Sequence, residues 1–126
     1  EKAMAFIATT ECEVTIDANA SVSRSSGNLG GLTLVGLWVP SVWTAAAITF
    51  LMSRDDGANF ASVYDALLGE VTIPSSMIAT GEARRFALDP RQFIGAKQIK
   101  VRSGVNGTAV TQAAARTLYL ITRPLA

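Results

Sequence analysis

Four groups of residues in this chain have types and spacings that could serve chemistry. Asp55-Asp56-Gly57-Ala58-Asn59 gathers oxygen ligands of the kind a hard cation takes. An EF-hand loop also needs an acid at its twelfth position, and counting from Asp55 that position is Ala66, so the match fails. The same residues read as a hairpin turn in which Asp56-Gly57 supplies the backbone angles, and that reading is preferred. Arg84-Arg85 beside Phe86 are of the types that hold a phosphate or stack on a base. Adjacent residues on a strand point to opposite faces, so the two make no patch alone, and the expectation is one exposed and one paired arginine. Trp38 and Trp43 flank Pro40 and could form a stacking platform for a sugar, although aromatics beside a turn more often close the lid of a sandwich core. Gly27, Gly30 and Gly31 lack the Lys-Ser/Thr and the helix of a phosphate loop, and read as a flexible connection.

What is missing narrows the chemistry further. The chain has no histidine, which removes Ser-His-Asp and Cys-His nucleophile systems and histidine-based metal sites together. Cys12 is the only cysteine, so no intramolecular disulfide forms, and its alternation with Val14 and Ile16 marks it as a small buried hydrophobe. Ten acidic residues are present, but no spacing selects a pair for glycoside chemistry. The sequence therefore assigns no catalytic residue, no metal and no cofactor, and no enzyme is expected.

Composition points to contacts rather than catalysis. Of 126 residues, 49% are hydrophobic and only 17% are charged, against about 25% charged in an ordinary soluble domain. Such a chain either enters a membrane or hides surface against partners. Leu32 to Met52 runs 21 residues without a charge, long enough to span a bilayer as a helix. Pro40-Ser41 divides it, β-branched and aromatic residues fill both halves, and no basic cluster flanks it, so it reads as two buried strands. The apolar part of Glu1 to Ile7 is too short for a secretory signal. The net charge of +1 gives no argument for nucleic acid, but its distribution is uneven. From Arg84 onward there are eight basic residues and one acid, while the preceding part carries nine acids and three basic residues. That asymmetry is compatible with charge-complementary self-assembly and equally with solvated strand faces.

The elements that would hold these residues are short strands. Glu11 to Asp17 alternates strictly, Cys12, Val14 and Ile16 on one face and acids or Thr15 on the other. Leu32 to Val39 and Ala46 to Ser53 form the apolar centre, and Phe60 to Ala66 returns from the Asp-Gly turn. Glu70 to Ile73, Arg84 to Leu88, Lys97 to Arg102 and Arg116 to Arg123 are further strands. In Lys97 to Arg102, Ile99 and Val101 point inward, Lys100 and Arg102 outward. Ala18 to Gly31 is a loop with a short strand near Val22, and Val105 to Ala115 a loop with an extended piece near Val110. Only Arg91 to Ala96 and Ala113 to Ala115 could make a helical turn. About eight strands with turn signals between them predict an all-β, jelly-roll-like antiparallel β-sandwich. It forms a single domain, residues 11–126, behind an N-terminal arm, residues 1–10.

Several runs resemble small jelly-roll structural proteins of tailed bacteriophages, of the capsid decoration or cement kind. They are Val39-Pro40-Ser41-Val42-Trp43-Thr44-Ala45-Ala46-Ala47-Ile48-Thr49-Phe50, Ser53-Arg54-Asp55-Asp56-Gly57-Ala58-Asn59-Phe60 and Val63-Tyr64-Asp65. The likeness continues through Leu88-Asp89-Pro90, Phe93-Ile94-Gly95, Ile99-Lys100-Val101-Arg102-Ser103-Gly104 and Val110-Thr111-Gln112-Ala113-Ala114-Ala115-Arg116-Thr117-Leu118, and covers about Gly36 to Arg123. The chain departs from that pattern at Val105-Asn106, where a Thr is common, and at Ala109, where a Pro is common. The resemblance implies a non-enzymatic virion protein, made in the host cytoplasm, that sits on the capsid surface and binds the major capsid protein, with no nucleic acid and no membrane as partner. A carbohydrate-binding or connector domain of a tail or fibre is the alternative. Self-association as a trimer is expected, matching the three-fold positions of capsid lattices. The expected contact residues are Glu11, Glu13, Trp38, Trp43, Arg84, Arg85, Lys100, Arg102 and Gln112, the early acids meeting Lys100 and Arg102 of a neighbour.

Overall fold

A computed structural model describes residues 9–24, 26–29, 31–78 and 80–124. Their strands are β1 (Thr10–Ile16), β2 (Gly27–Asn28), β3 (Leu32–Val39), β4 (Ile48–Ser53), β5 (Ala61–Ser62), β6 (Thr72–Ile73), β7 (Arg84–Ala87), β8 (Gln98–Val105), β9 (Thr108–Ala109) and β10 (Arg116–Pro124). Four of them form one antiparallel sheet in the order β1-β10-β3-β7. The other six form a second, with β2-β8-β4-β5 in a row, β6 sharing the far edge of β4 and β9 folded onto β8. The two sheets pack as a jelly-roll-like β-sandwich, as the alternation predicts.

Alternation decides which side chains enter the core. Val14 and Ile16 of β1, Leu34, Leu37 and Val39 of β3, and Leu118 and Leu120 of β10 leave the four-stranded sheet on its inner face. Ile48 and Phe50 of β4 and Ile99 and Val101 of β8 meet them from the other sheet. Phe93 plugs the middle, its ring edge-on to Phe50 with centroids 5.3 Å apart, a favoured aromatic geometry. Burying each such side chain contributes about 1.5–3 kcal/mol, so the core and not local propensity holds the strands. Cys12 is half-buried against this core.

The uncharged run Leu32 to Met52 becomes β3 in one sheet and most of β4 in the other, joined by the irregular connection 40–47, which bends at Ser41 and Ala45. Among the described residues no helix is long and apolar enough to cross a membrane.

Five local expectations need correcting. Thr10 belongs to β1, hydrogen-bonding Thr122 through its hydroxyl at 2.7 Å, so the arm ends at residue 9, and residues 1–8 lie outside the described ones. Ala113 to Ala115 forms a bend and no helical turn. Ser75–Met77 forms a 3₁₀ turn that nothing in the sequence announced. The turn expected in Arg91 to Ala96 is a 3₁₀ turn over Pro90–Phe93, capped by the Asp89 carboxylate, which accepts from the Arg91 amide at 3.0 Å. The strand near Val22 is a single bridge to Arg102.

Candidate functional site

The outer face of the six-stranded sheet carries a buried polar cluster built from β4 and β8. Thr49 and Arg102 stand directly opposite each other on these strands, pointing away from the hydrophobic core. The Arg102 side chain reaches across β4 toward Ser62 and Glu70 of the segment that pairs with the far edge of β4, and Arg102 is only 7% exposed. Its Nε donates to Thr49 Oγ1 at 2.9 Å, and its Nη2 donates to Ser62 Oγ at 3.2 Å and to the Glu70 carboxylate. Thr49 in turn donates to the Gly104 carbonyl at 2.7 Å. The second oxygen of Glu70 accepts from the Asn106 amide at 3.1 Å. A buried charge persists only when paired and hydrogen-bonded, and the planar guanidinium meets both needs from one position.

This cluster anchors a turn with an unusual surface. Tyr64 and Glu70 form an isolated bridge at its base. Asp65 holds the loop: its amide donates to the Gly69 carbonyl at 2.8 Å, and its Oδ1 accepts from the amides of Leu67 at 2.9 Å and Gly69 at 3.0 Å. The Leu68 amide donates back to the Asp65 carbonyl at 3.0 Å. Leu68 adopts φ +67°, a left-handed conformation that a leucine rarely takes. Leu67 is 91% exposed and Leu68 84%. Two leucines therefore stand in water on a loop fixed by four main-chain and carboxylate hydrogen bonds. Beside the turn lies an open cleft of about 440 Å³ between the β6 segment and β7, lined by Val71, Ile73, Phe86 and Leu88 among others.

The residues named from sequence are scattered over both sheets. Glu11 and Glu13 are exposed on β1, and Trp38 and Arg85 are exposed cross-strand neighbours on β3 and β7. Arg84 is half-buried, donating to the Met77 carbonyl at 3.0 Å and pairing with Glu82 at 3.3 Å, so Arg85 is the freer of the two. Lys100 lies over the Phe60 ring at 4.7 Å from its centroid. Three of the expected contact residues need correcting. Arg102 does point outward from the core, but it is covered and ion-paired. Trp43 is 3% exposed, its indole N–H donating to the Ala46 carbonyl at 3.1 Å, so it forms no platform with Trp38. Gln112 is fully buried. Its Oε1 accepts from the Thr44 amide at 2.8 Å and Arg116 Nε at 3.0 Å, and its Nε2 donates to the Thr44 carbonyl at 3.0 Å and Ser103 Oγ at 2.8 Å. Every hydrogen-bonding position of that amide is used inside the fold.

The acidic turn is a hairpin connection. The pair Met52 and Ala61 closes the β4–β5 hairpin, and within the longer loop between them Asp56 and Gly57 take positive φ values of 59° and 95°, the centre of a tight turn over Asp55 to Ala58. Hydrogen bonds from the Asn59 side chain, Ser53 and the Asn59 amide hold the Asp55 carboxyl far below the usual carboxylate range. Those oxygens are thus committed to closing the turn, and among the described residues no group of three or more acidic or thiol side chains is placed to hold a metal. The leucine tip escaped the sequence reading, although Asp65 and Gly69 bracketing Ala66, Leu67 and Leu68 is a visible turn signal. Comparison with protein-family models, curated proteins and solved structures finds no match for this chain.

Proposed function

We propose that this chain is a non-enzymatic docking module that decorates or cements the head of a tailed phage, with the major capsid protein as its partner. The observation that carries this reading is the fixed Leu67-Leu68 tip. Large apolar side chains at 91% and 84% exposure are out of place on a free surface and suited to a pocket in another folded protein. Seating both would contribute about 3–6 kcal/mol from burial, and the fixed loop loses little entropy on docking. The charged side chains on the turn itself are the acids Asp65 and Glu70, and Arg91 across the adjoining cleft is paired with Asp89, which favours a protein pocket over an anionic lipid surface. The resemblance of Gly36 to Arg123 to phage jelly-roll proteins supplies the capsid as the partner, and the low charged fraction agrees with a subunit that works in contact with others.

The test is co-sedimentation of the purified protein with phage heads that lack it, together with immunogold labelling of virions. Wild type should pellet with heads and label their surface. A Leu67→Ser/Leu68→Ser variant should keep the wild-type melting curve and lose head binding. Labelling confined to the tail would replace this reading with a connector role. Undiminished binding by the double-serine variant would remove the tip from it.

A further inference from the structure

The strand register places an ordered row of side chains across the outer face of the four-stranded sheet. Glu13 stands opposite Tyr119, Tyr119 opposite Trp38, and Trp38 opposite Arg85. The row therefore reads acid, aromatic, aromatic, base from one sheet edge to the other. The next row on that side is Glu11, Ile121, Gly36 and Ala87, of which Ile121 is only 6% exposed and Gly36 is buried, so the open part of the face is the Glu13 row with Glu11 beside it. The alternate positions Cys12, Leu120, Leu37 and Phe86 face the core, so the outer assignment follows from the register.

Three features make this face unusual. Trp38 is 41% exposed at the centre of a sheet, and tryptophan and tyrosine are the residues enriched at interface centres. Glu11, Glu13 and Arg85 have no ion-pair partner among the described residues, and three strand spacings, about 14 Å, separate β1 from β7. The charges therefore do not neutralise each other within one chain. The Arg85 guanidinium also lies over Gly36, where a Cβ would come within 3.1 Å of its Nη2, so a glycine leaves room for it on the sheet.

We propose that this face binds a second copy of the chain, sheet against sheet, about a two-fold axis parallel to the strands. That axis reverses the row, setting Glu13 against the partner's Arg85 and Tyr119 against the partner's Trp38 at the usual sheet spacing of about 10 Å. A two-fold axis across the strands would instead set Glu13 against Glu13 and Arg85 against Arg85, so charge selects between the two arrangements. The trimer expected from sequence drew on the apolar composition and the three-fold capsid positions, and for its charge contact took Lys100 and Arg102 as the counterparts of the early acids. Arg102 is buried with Glu70, and Lys100 lies over Phe60 on the other sheet. Arg85 is the base that shares a face with Glu13. One four-stranded face falls short of the roughly 800 Å² per partner of a standard interface, which places the pair in the weak class, to be measured from micromolar toward millimolar concentration. The inference stands independently of the capsid reading.

Sedimentation equilibrium on the purified protein tests it by a charge exchange. Wild type should show a concentration-dependent monomer–dimer equilibrium. Arg85→Glu alone and Glu13→Arg alone should each weaken it at least about tenfold, since each replaces two opposed pairs by two like pairs. Mixing the two single variants should restore a dimer of one copy of each, because both contacts again join opposite charges. Trp38→Ser should abolish association at a temperature where far-UV circular dichroism still shows the folded sandwich, its own melt being lowered by the intrachain contacts that a 41%-exposed side chain loses. A wild type that remains monomeric throughout, a trimer, or a mixture that associates no better than the single variants would overturn the proposal.

Discussion

Removing the Glu70 carboxylate should destabilise this protein more than its position on a surface turn suggests. Glu70→Ala leaves Arg102 with the Thr49 and Ser62 hydroxyls but no anion, in a site where the two side chains are 9% and 12% exposed. Stranding one partner of a buried ion pair costs about 3–5 kcal/mol, because the remaining charge has lost its solvation and its counter-charge together. A domain of this size has about 5–15 kcal/mol in total, so the variant should melt about 10–20 °C below wild type. Urea titration followed by the fluorescence of the buried Trp43 measures the free energy directly.

The control separates the charge from the packing. Arg102→Met/Glu70→Leu removes both charges and fills similar volume, and Thr49 keeps its bond to the Gly104 carbonyl. The Asn106 amide is exposed, so water can replace its lost acceptor. Such double replacements are commonly neutral or stabilising, so this variant should lie within about 1 kcal/mol of wild type or above it. The reasoning is refuted if Glu70→Ala loses less than about 1 kcal/mol, the value of a solvent-screened pair. It is equally refuted if the double variant falls as far as the single one.

Three further outcomes follow from the geometry. Gln112→Leu should cost about 2–3 kcal/mol in the same urea titration, because it leaves the Thr44 main chain and Ser103 without partners inside the fold. Gly104→Ala should cost about 2–4 kcal/mol, since at φ +99° its Cβ would stand 2.6 Å from the Thr108 carbonyl oxygen and 2.7 Å from the Val110 nitrogen, whereas Gly31→Ala, with open space around it, should cost only the strain of its own φ. For Asp55, a folded pKa below the ordinary 3.8 means that its contribution is complete above that value and is lost as pH falls through the depressed one. An NMR titration of its carboxyl should therefore show it still ionised at pH 3, and a midpoint at or above 3.8 would contradict the hydrogen bonds drawn to it.

Strand alternation was readable because it reflects a contact each residue makes with its own sheet. Cys12, Val14 and Ile16, or Ile99 and Val101, announce their face within five residues, and the fold obeys. The same alternation placed Lys100 and Arg102 on the outer side correctly. It carried no information about what lies over that side, because the cover comes from Ser62 and Glu70, more than thirty positions away. Gln112 shows the same limit: in sequence it is a polar residue in a run of small ones, and its partners Thr44 and Ser103 come from other parts of the chain. Strand β2 is only Gly27–Asn28, too short for any period to register, and the sequence offered a flexible connection there. Trp43 differs, since its partner is the carbonyl of Ala46, three residues on. The sequence allowed that burial as well as a sugar platform, and only the packing decides between them.

The Arg102–Glu70 pair and the leucine tip are best understood as one construction. A buried ion pair is a poor way to gain stability, since apolar residues of similar volume do as well or better. What it does supply is position: the guanidinium fork accepts its partners in one geometry, and Glu70 forms one side of the turn whose base is the Tyr64 bridge. From there Asp65 fixes the amides of Leu67 and Gly69, and Leu68 is held at a φ that costs about 1 kcal/mol or more. A loop free to relax would leave that conformation and turn its leucines toward the nearby cleft. Fixing a backbone residue at the moment of binding costs about 1–2 kcal/mol, so a flexible version of this five-residue turn would forfeit most of what two buried leucines return. The polar cluster removes that loss by ordering the loop in advance. In the proposed docking role its cost falls on folding, where the hydrophobic core of the sandwich can carry it, and the gain would appear when a partner covers Leu67 and Leu68.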